Sequence, residues 1–156
     1  MKYFMKAFAL IAVLLISCIS GAVYETAFAV ELQDVSNNTV NLDAFIGKKP
    51  VLLLFWTTWC PYCRKELKSL EEMYPRLKKD GWEVLAINVG ESRERVNNFI
   101  KRYTLEFPVL LDKTTDTADL YGILGVPTYI FLNKEEKVVF RGNRFPEGAY
   151  EGLISK

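Results

Sequence analysis

Val51-Leu52-Leu53-Leu54-Phe55-Trp56-Thr57-Thr58-Trp59-Cys60-Pro61-Tyr62-Cys63-Arg64-Lys65-Glu66 is the stretch that decides the fold. Its first six residues form an unbroken apolar run, the pattern of a short strand covered on both faces. Pro61 suits the first turn of a helix, where its missing N–H costs little. Leu67, Leu70, Met73, Tyr74 and Leu77 then recur at helical spacing until Asp80-Gly81 stops them. Two cysteines in CxxC spacing therefore sit where a buried strand turns into a helix.

That placement has chemical consequences. The thiolate, not the thiol, attacks disulfides, and free cysteine has a pKa of about 8.5. Unpaired N–H groups and the dipole at a helix N-terminus favour negative charge. Cys60 is expected at that spot with a lowered pKa, since CxxC cysteines span roughly 3.5 to 7.5. Cys63, one turn further in, is expected to be shielded and to hold its proton. Cys60 would then attack a substrate disulfide, and Cys63 would resolve the mixed disulfide. A lone CxxC can also be half a zinc site, but there is no second pair and no histidine to complete it. An inert structural disulfide is the other bland reading.

Elsewhere the chain alternates. Residues 29–42 read as a β-hairpin around Ser36-Asn37-Asn38, and Gly47-Lys48-Lys49-Pro50 as a loop. Trp82 to Val89 reads as a strand. Ser92 can cap a helix with Val96, Phe99, Ile100 and Tyr103 on one face. Phe107 to Leu111 is a short strand and Thr117 to Tyr121 a short helix. Gly125-Val126-Pro127 leads into strand Thr128 to Leu132. Asn133 to Glu136 turns into strand Lys137 to Arg141, and Pro146 to Ser155 is expected as a last helix. This order implies an α/β fold with a central mixed sheet, helices on both faces and an N-terminal β-hairpin.

Phe55-Trp56-Thr57-Thr58-Trp59-Cys60-Pro61-Tyr62-Cys63 resembles the active-site signature of the thioredoxin superfamily, and Gly125-Val126-Pro127-Thr128 resembles its second signature. Arg64-Lys65-Glu66, Asn88-Val89-Gly90-Glu91-Ser92 and Phe107-Pro108-Val109-Leu110-Leu111-Asp112 resemble the TlpA/ResA-like branch of membrane-tethered thiol–disulfide oxidoreductases, several of which serve cytochrome c maturation. The resemblance runs from about Phe28 to the C-terminus. It implies a thioredoxin-like fold, no cofactor, and a cis Pro127 that presents the Val126 backbone to an extended substrate segment. It also implies that Glu66 lies near the thiols, where a carboxylate would oppose thiolate formation at Cys63 and could relay a proton. A solvated helix face beside Arg64 and Lys65 is the plainer account of Glu66. Glu91 is equally well a helix-start acid or a border of the site. Trp59, Pro61 and Tyr62 are expected at the substrate rim, whereas Phe55, Trp56, Leu70 and Phe131 read as core. Two departures stand out. Leu54 occupies the place of a buried acid in cytoplasmic thioredoxins, and Pro61-Tyr62 matches the glutaredoxin dipeptide.

The remaining sequence bounds the setting. The 156 residues are 50% hydrophobic with net charge +1, enough for one domain with its own core. Lysine and arginine are scattered along the chain, which gives no reason to expect nucleic acid as a partner. With no histidine, His-based acid–base chemistry and most zinc or haem ligation are excluded, and no metal site is expected. Lys2 and Lys6 precede an almost wholly apolar run from Ala7 to Val23, so residues 1–27 read as a targeting segment and 28–156 as the domain. Leu15-Ile16-Ser17-Cys18 resembles a lipobox with Cys18 as lipidation site, and Ala27-Phe28-Ala29 resembles a cleavage site. An uncleaved membrane anchor is the third fate, with Cys18 then an ordinary apolar residue. All three place the domain outside the cytoplasm, where disulfides persist.

The leading expectation is an extracytoplasmic dithiol reductase of protein disulfides, apocytochrome c among the candidates, re-reduced by a membrane thiol electron donor. A thiol peroxidase is the second class, since Thr57-Thr58-Trp59-Cys60 faintly echoes a peroxidatic motif. A non-catalytic thioredoxin-fold binding module is the third.

Overall fold

The computed structural model describes residues 30–153. Seven strands form one mixed sheet: β1 (Glu31–Asp34), β2 (Thr39–Asn41), β3 (Val51–Trp56), β4 (Glu83–Val89), β5 (Val109–Asp112), β6 (Thr128–Leu132) and β7 (Val138–Gly142), in the order β2-β1-β5-β4-β3-β6-β7. The central strands β3, β4 and β5 are parallel, and the pairings outside them are antiparallel. The N-terminal hairpin joins the sheet through β1, with Gln33 opposite Leu111 and Asp34 opposite Leu110.

Three α-helices pack on this sheet: α1 (Pro61–Lys79), α2 (Arg93–Tyr103) and α3 (Asp116–Leu120). Side-chain alternation along β3 divides the core. Leu52, Leu54 and Trp56 face one layer with Leu67, Leu70, Tyr74 and Leu77 of α1 and Val96 and Phe99 of α2. Val51, Leu53 and Phe55 face the other layer, which holds Ala118 of α3, Tyr121, and Leu42 from a 3-10 turn at Leu42–Ala44. Every residue of β3 is buried, as an unbroken apolar run requires.

Helix α1 runs through Pro75. Its ring removes one donor, but residue 75 is exposed, and the buried stripe on the opposite side holds the helix across it. Arg76, Lys78 and Lys79 in the last turn suit the negative end of the dipole. Helix α2 starts at Ser92, whose Oγ accepts the Arg95 N–H at 3.4 Å. Before it, Gly90 adopts φ +69°, a left-handed turn that brings Glu91 back under the end of β3.

Two expectations need correction. The strand read as Phe107 to Leu111 is Val109–Asp112. Pro108 has no N–H for a ladder and contributes only its carbonyl, which accepts from Ala86 N at 3.0 Å. The helix expected over 146–155 is, within the described residues, a turn followed by a 3-10 segment, Tyr150–Leu153. Gly148 and Gly152 weaken a regular helix there, and burial of Tyr150 and Leu153 anchors the segment instead. Smaller shifts of one residue occur at the ends of β4, β7 and α3. Cys18, the targeting segment 1–27 and Ser155 lie outside the described residues.

Candidate active site

The C-terminal end of β3 delivers Thr57-Thr58-Trp59 into a turn, and Cys60 is the N-cap of α1. Its Sγ accepts the Cys63 N–H at 3.2 Å. On its other side Cys60 Sγ lies 3.7 Å from the Val126 carbonyl, to which the thiol donates. Both cysteines are free thiols. Cys63 is fully buried behind Cys60, which keeps a 4% exposed edge. Burial, followed by the neighbouring Cys60, pushes the Cys63 thiol up to about 12, and a backbone hydrogen bond from Thr57 offsets part of this. The two sulfurs are therefore unequal. Cys60 caps a helix start and keeps a narrow exposed edge, and Cys63 is wholly inside and holds its proton.

The Val126–Pro127 peptide bond is cis, as the second signature implied. Pro127 is buried against the site and Val126 is half-buried. They line a groove of about 610 Å³ with Tyr62, Glu66, Leu124, Thr128, Arg141 and Arg144 among its walls. The expected rim is exposed: Trp59 is 63% accessible and Tyr62 68%, with Pro61 between them also open. Leu124, fully exposed, stands at the groove's far side.

Glu66 is half-buried in the groove wall, not on a solvated face. Its Oε2 accepts the Phe145 N–H at 3.1 Å, tying the C-terminal segment to α1. Beside it lies Tyr129, wholly buried, whose hydroxyl donates to the Glu66 carbonyl at 3.3 Å. Burial first, then the Glu66 carboxylate and Cys63, push the Tyr129 phenol well above its ordinary range. Leu54, the replacement for an acid, pairs in register with Ala86 and Tyr129 and is buried in the same layer as both cysteines.

Glu91 resolves in favour of the site. It is buried, and its Oε2 accepts from Thr58 N at 2.6 Å and Asn88 Nδ2 at 2.8 Å. Its Oε1 accepts from Thr58 Oγ1 at 2.7 Å and lies 3.6 Å from Arg95 Nη1. The carboxylate thus clamps the turn that carries Trp59 and Cys60. Arg64 adds a second tie, donating through Nε to the Thr58 carbonyl at 3.3 Å.

Sequence reasoning missed Tyr129 and Asn88. A signal existed for Tyr129: strand period places it on the same side as Pro127, two residues earlier. For Asn88, a buried amide at the end of an apolar strand next to Glu91 was the only cue.

The geometry has close counterparts. A model of the AhpC/TSA family matches residues 23–141. Two curated relatives named thiol-disulfide oxidoreductase ResA are similar to this chain. That of Bacillus subtilis is 41% identical over 108 residues, covering 69% of this chain and 60% of the relative. That of Bacillus thuringiensis is 39% identical over 106 residues, covering 68% and 61%. The chain therefore spans about three-fifths of the length of the curated relatives it matches. Among solved structures, the thioredoxin domain of a thiol-disulfide oxidoreductase from Bacteroides vulgatus superposes with TM-score 0.75 at 28% identity, covering 86% of this chain and 99% of that one. StoA from Bacillus subtilis shares the fold at TM-score 0.69 and 23% identity, covering 81% and 96%. The family match over most of the chain, with these identities, fixes its kinship: the chain belongs to the AhpC/TSA family, in its thioredoxin-like, ResA-resembling part.

Proposed function

We propose that this chain is an extracytoplasmic thiol–disulfide oxidoreductase that works as a dithiol reductase through Cys60 and Cys63. The observation that carries the reading is the pairing of unequal sulfurs: Cys60 Sγ capped by the Cys63 N–H at 3.2 Å, with the Cys63 thiol buried behind it. The names of the Bacillus relatives support the same reading.

The chemistry balances as two exchanges. Cys60, as thiolate, attacks one sulfur of a client disulfide. A Cys60–client bond forms, the client S–S bond breaks, and the second client sulfur leaves as a thiolate that takes up a proton. Cys63 then gives up its proton and attacks Cys60 Sγ. The Cys60–Cys63 disulfide forms, and the first client sulfur leaves and is protonated. Two electrons have passed to the client. A dithiol donor must return them by the reverse sequence, and a membrane thiol donor suits a domain tethered by residues 1–27.

Roles follow from position. The Val126 backbone offers an extended client segment a strand-like partner beside the sulfur, with Pro127 shaping that wall. Trp59, Pro61 and Tyr62 supply the exposed contact rim. Glu66, half-buried one helical turn after Cys63, is the proposed acceptor of the Cys63 proton in the resolving step. Apocytochrome c is the proposed client class, and lipidation at Cys18 one of the proposed tethers.

The peroxidase alternative is disfavoured by the second thiol, Cys63, buried directly behind Cys60, which favours dithiol exchange over a lone peroxidatic cysteine. The deciding experiment is Cys63→Ala in the native compartment. Client proteins should accumulate as mixed disulfides on Cys60, releasable by dithiothreitol and missing in the Cys60→Ser, Cys63→Ala double variant. No trapped adducts, or a reduction potential as oxidising as that of DsbA, overturns the reductase assignment.

A further inference from the structure

On the side of the redox pair away from the Val126–Pro127 groove lies a second recess, of about 470 Å³. Arginines that are scattered in sequence meet here: Arg64 from α1, and Arg95 and Arg102 from α2. Trp59, Phe99 and Tyr103 supply its aromatic walls, the last two stacked with centroids 4.2 Å apart. Trp59, one of its walls, directly precedes Cys60 in the chain, which places the recess next to the redox turn.

Its charge is only partly compensated. Glu91, buried beneath it, lies 3.6 Å from Arg95 Nη1 and already accepts from Thr58 N, Thr58 Oγ1 and Asn88 Nδ2, so Arg64 and Arg102 carry the unmatched charge. Helix α2 carries Arg93, Arg95, Lys101 and Arg102 against the single acid Glu94. Arg64 and Arg102 each donate through Nε to a backbone carbonyl, Thr58 at 3.3 Å and Asn98 at 3.1 Å. These bonds hold the side chains, while the Nη forks have no partner among the described residues. Forks held in that way suit carboxylates, which accept two parallel N–H bonds. The exposed indole and phenol rings add contact area at low entropic cost.

We propose that this recess binds an acidic segment of the protein partner whose sulfur reacts at Cys60. The proposal rests on the oxidoreductase reading above and adds to it a specificity surface separate from the Val126–Pro127 groove. An acidic stretch flanking the partner cysteine would enter between Trp59 and Tyr103 and pair with Arg102 and Arg64.

The test uses the reduced protein and two synthetic peptides, each disulfide-bonded to a fluorescent thiol. They are identical except that the flanking residues are glutamates in one and lysines in the other. Wild type should react faster with the glutamate peptide, on the order of tenfold at low ionic strength, and the ratio should shrink with added salt. Arg102→Glu should bring the ratio close to one. The ratio isolates the recess, because damage to folding would slow both peptides together. Equal rates for the two peptides in wild type overturn the proposal. So does a ratio that survives Arg102→Glu but collapses in Arg144→Glu, which would move the acidic site to the other groove. Binding to anionic phosphatidylglycerol vesicles that Arg102→Glu abolishes, without any peptide preference, also overturns it and assigns the recess to a membrane surface. Failure of the oxidoreductase reading is told apart by wild type itself, which would then not reduce hydroxyethyl disulfide.

Discussion

Glu91→Ala is the sharpest test of how the site is held. The substitution deletes the acceptor for three donors at 2.6, 2.7 and 2.8 Å. Asn88 is fully buried, so its Nδ2 cannot turn to water, and leaving it unpaired costs about 1–3 kcal/mol. Thr58 is half-buried, so its N–H and hydroxyl recover part of their bonding from solvent, and each loses about 0.5–1.5 kcal/mol net. The Arg95 contact is 3.6 Å long with a 64% exposed arginine, so it adds only a few tenths of a kcal/mol by the usual measure of exposed pairs. The expected loss is about 4 kcal/mol. Glu91→Gln is the control. Its carbonyl can occupy the Oε2 position and keep Thr58 N and Asn88, while its amide donates to Thr58 Oγ1, whose hydroxyl turns to accept. Only the charge is lost, at about 1 kcal/mol. Urea unfolding at neutral pH reads both, as a shift of midpoint at unchanged slope. The alanine variant should also slow alkylation of Cys60, since the Thr58 turn sets where that sulfur sits. A loss below about 0.5 kcal/mol for Glu91→Ala would refute the clamp. So would a glutamine variant as damaged as the alanine one, which would put the burden on charge rather than on hydrogen-bond pattern.

Two further outcomes are expected. Cys63 has a folded-state pKa raised to about 12, above that of an unfolded thiol, so its contribution to stability is intact below about pH 8.5 and is lost as pH rises towards 12. The reduced protein should therefore lose up to about 1.4 kcal/mol per pH unit relative to Cys63→Ala above pH 9, measured as the difference between their urea midpoints; parallel curves would contradict the burial of that thiol. Glu66→Gln should shift the alkylation–pH curve of Cys63, followed in a Cys60→Ser background, to lower pH and slow resolution of the mixed disulfide, while costing less than about 1 kcal/mol because the amide oxygen can still accept Phe145 N. An unmoved curve with normal resolution would leave Glu66 as an anchor for the C-terminal segment alone.

Much of this was legible from local pattern. Strand Val51–Trp56 and the start of the next helix at Pro61 were set by a continuous apolar run and a proline, signals that need no knowledge of the partners. The strand Thr128–Leu132 was bounded by Pro127 on one side and by Asn133 on the other, whose Oδ1 accepts from Glu135 N and Lys137 N to close the turn. What failed was the C-terminus. Tyr150 and Leu153 have helical spacing, but their burial comes from packing on the α1 layer, and Gly148 and Gly152 leave only a turn and a 3-10 segment. Glu91, which sequence left open between helix-start acid and border of the site, differs in kind. Its environment is built by Thr58, thirty-three residues earlier, so no window around Glu91 contains the reason it is buried.

The same distinction explains the asymmetry of the sulfurs. Helix geometry puts residue 60 at the cap and residue 63 one turn in, and that much follows from CxxC spacing alone. The degree to which Cys63 resists ionisation does not. It depends on burial in the layer to which Leu54 and Tyr129, paired in register across β3 and β6, both belong. With Leu54 unable to accept a proton, the Cys63 proton has two exits: the departing client thiolate, or the Glu66 side, where Tyr129 and the carboxylate already meet. A dry wall on the strand side and a polar one on the groove side would give the proposed resolving step a direction. The proton would then leave towards the same groove in which the client is proposed to lie, so client binding and proton release would share one opening.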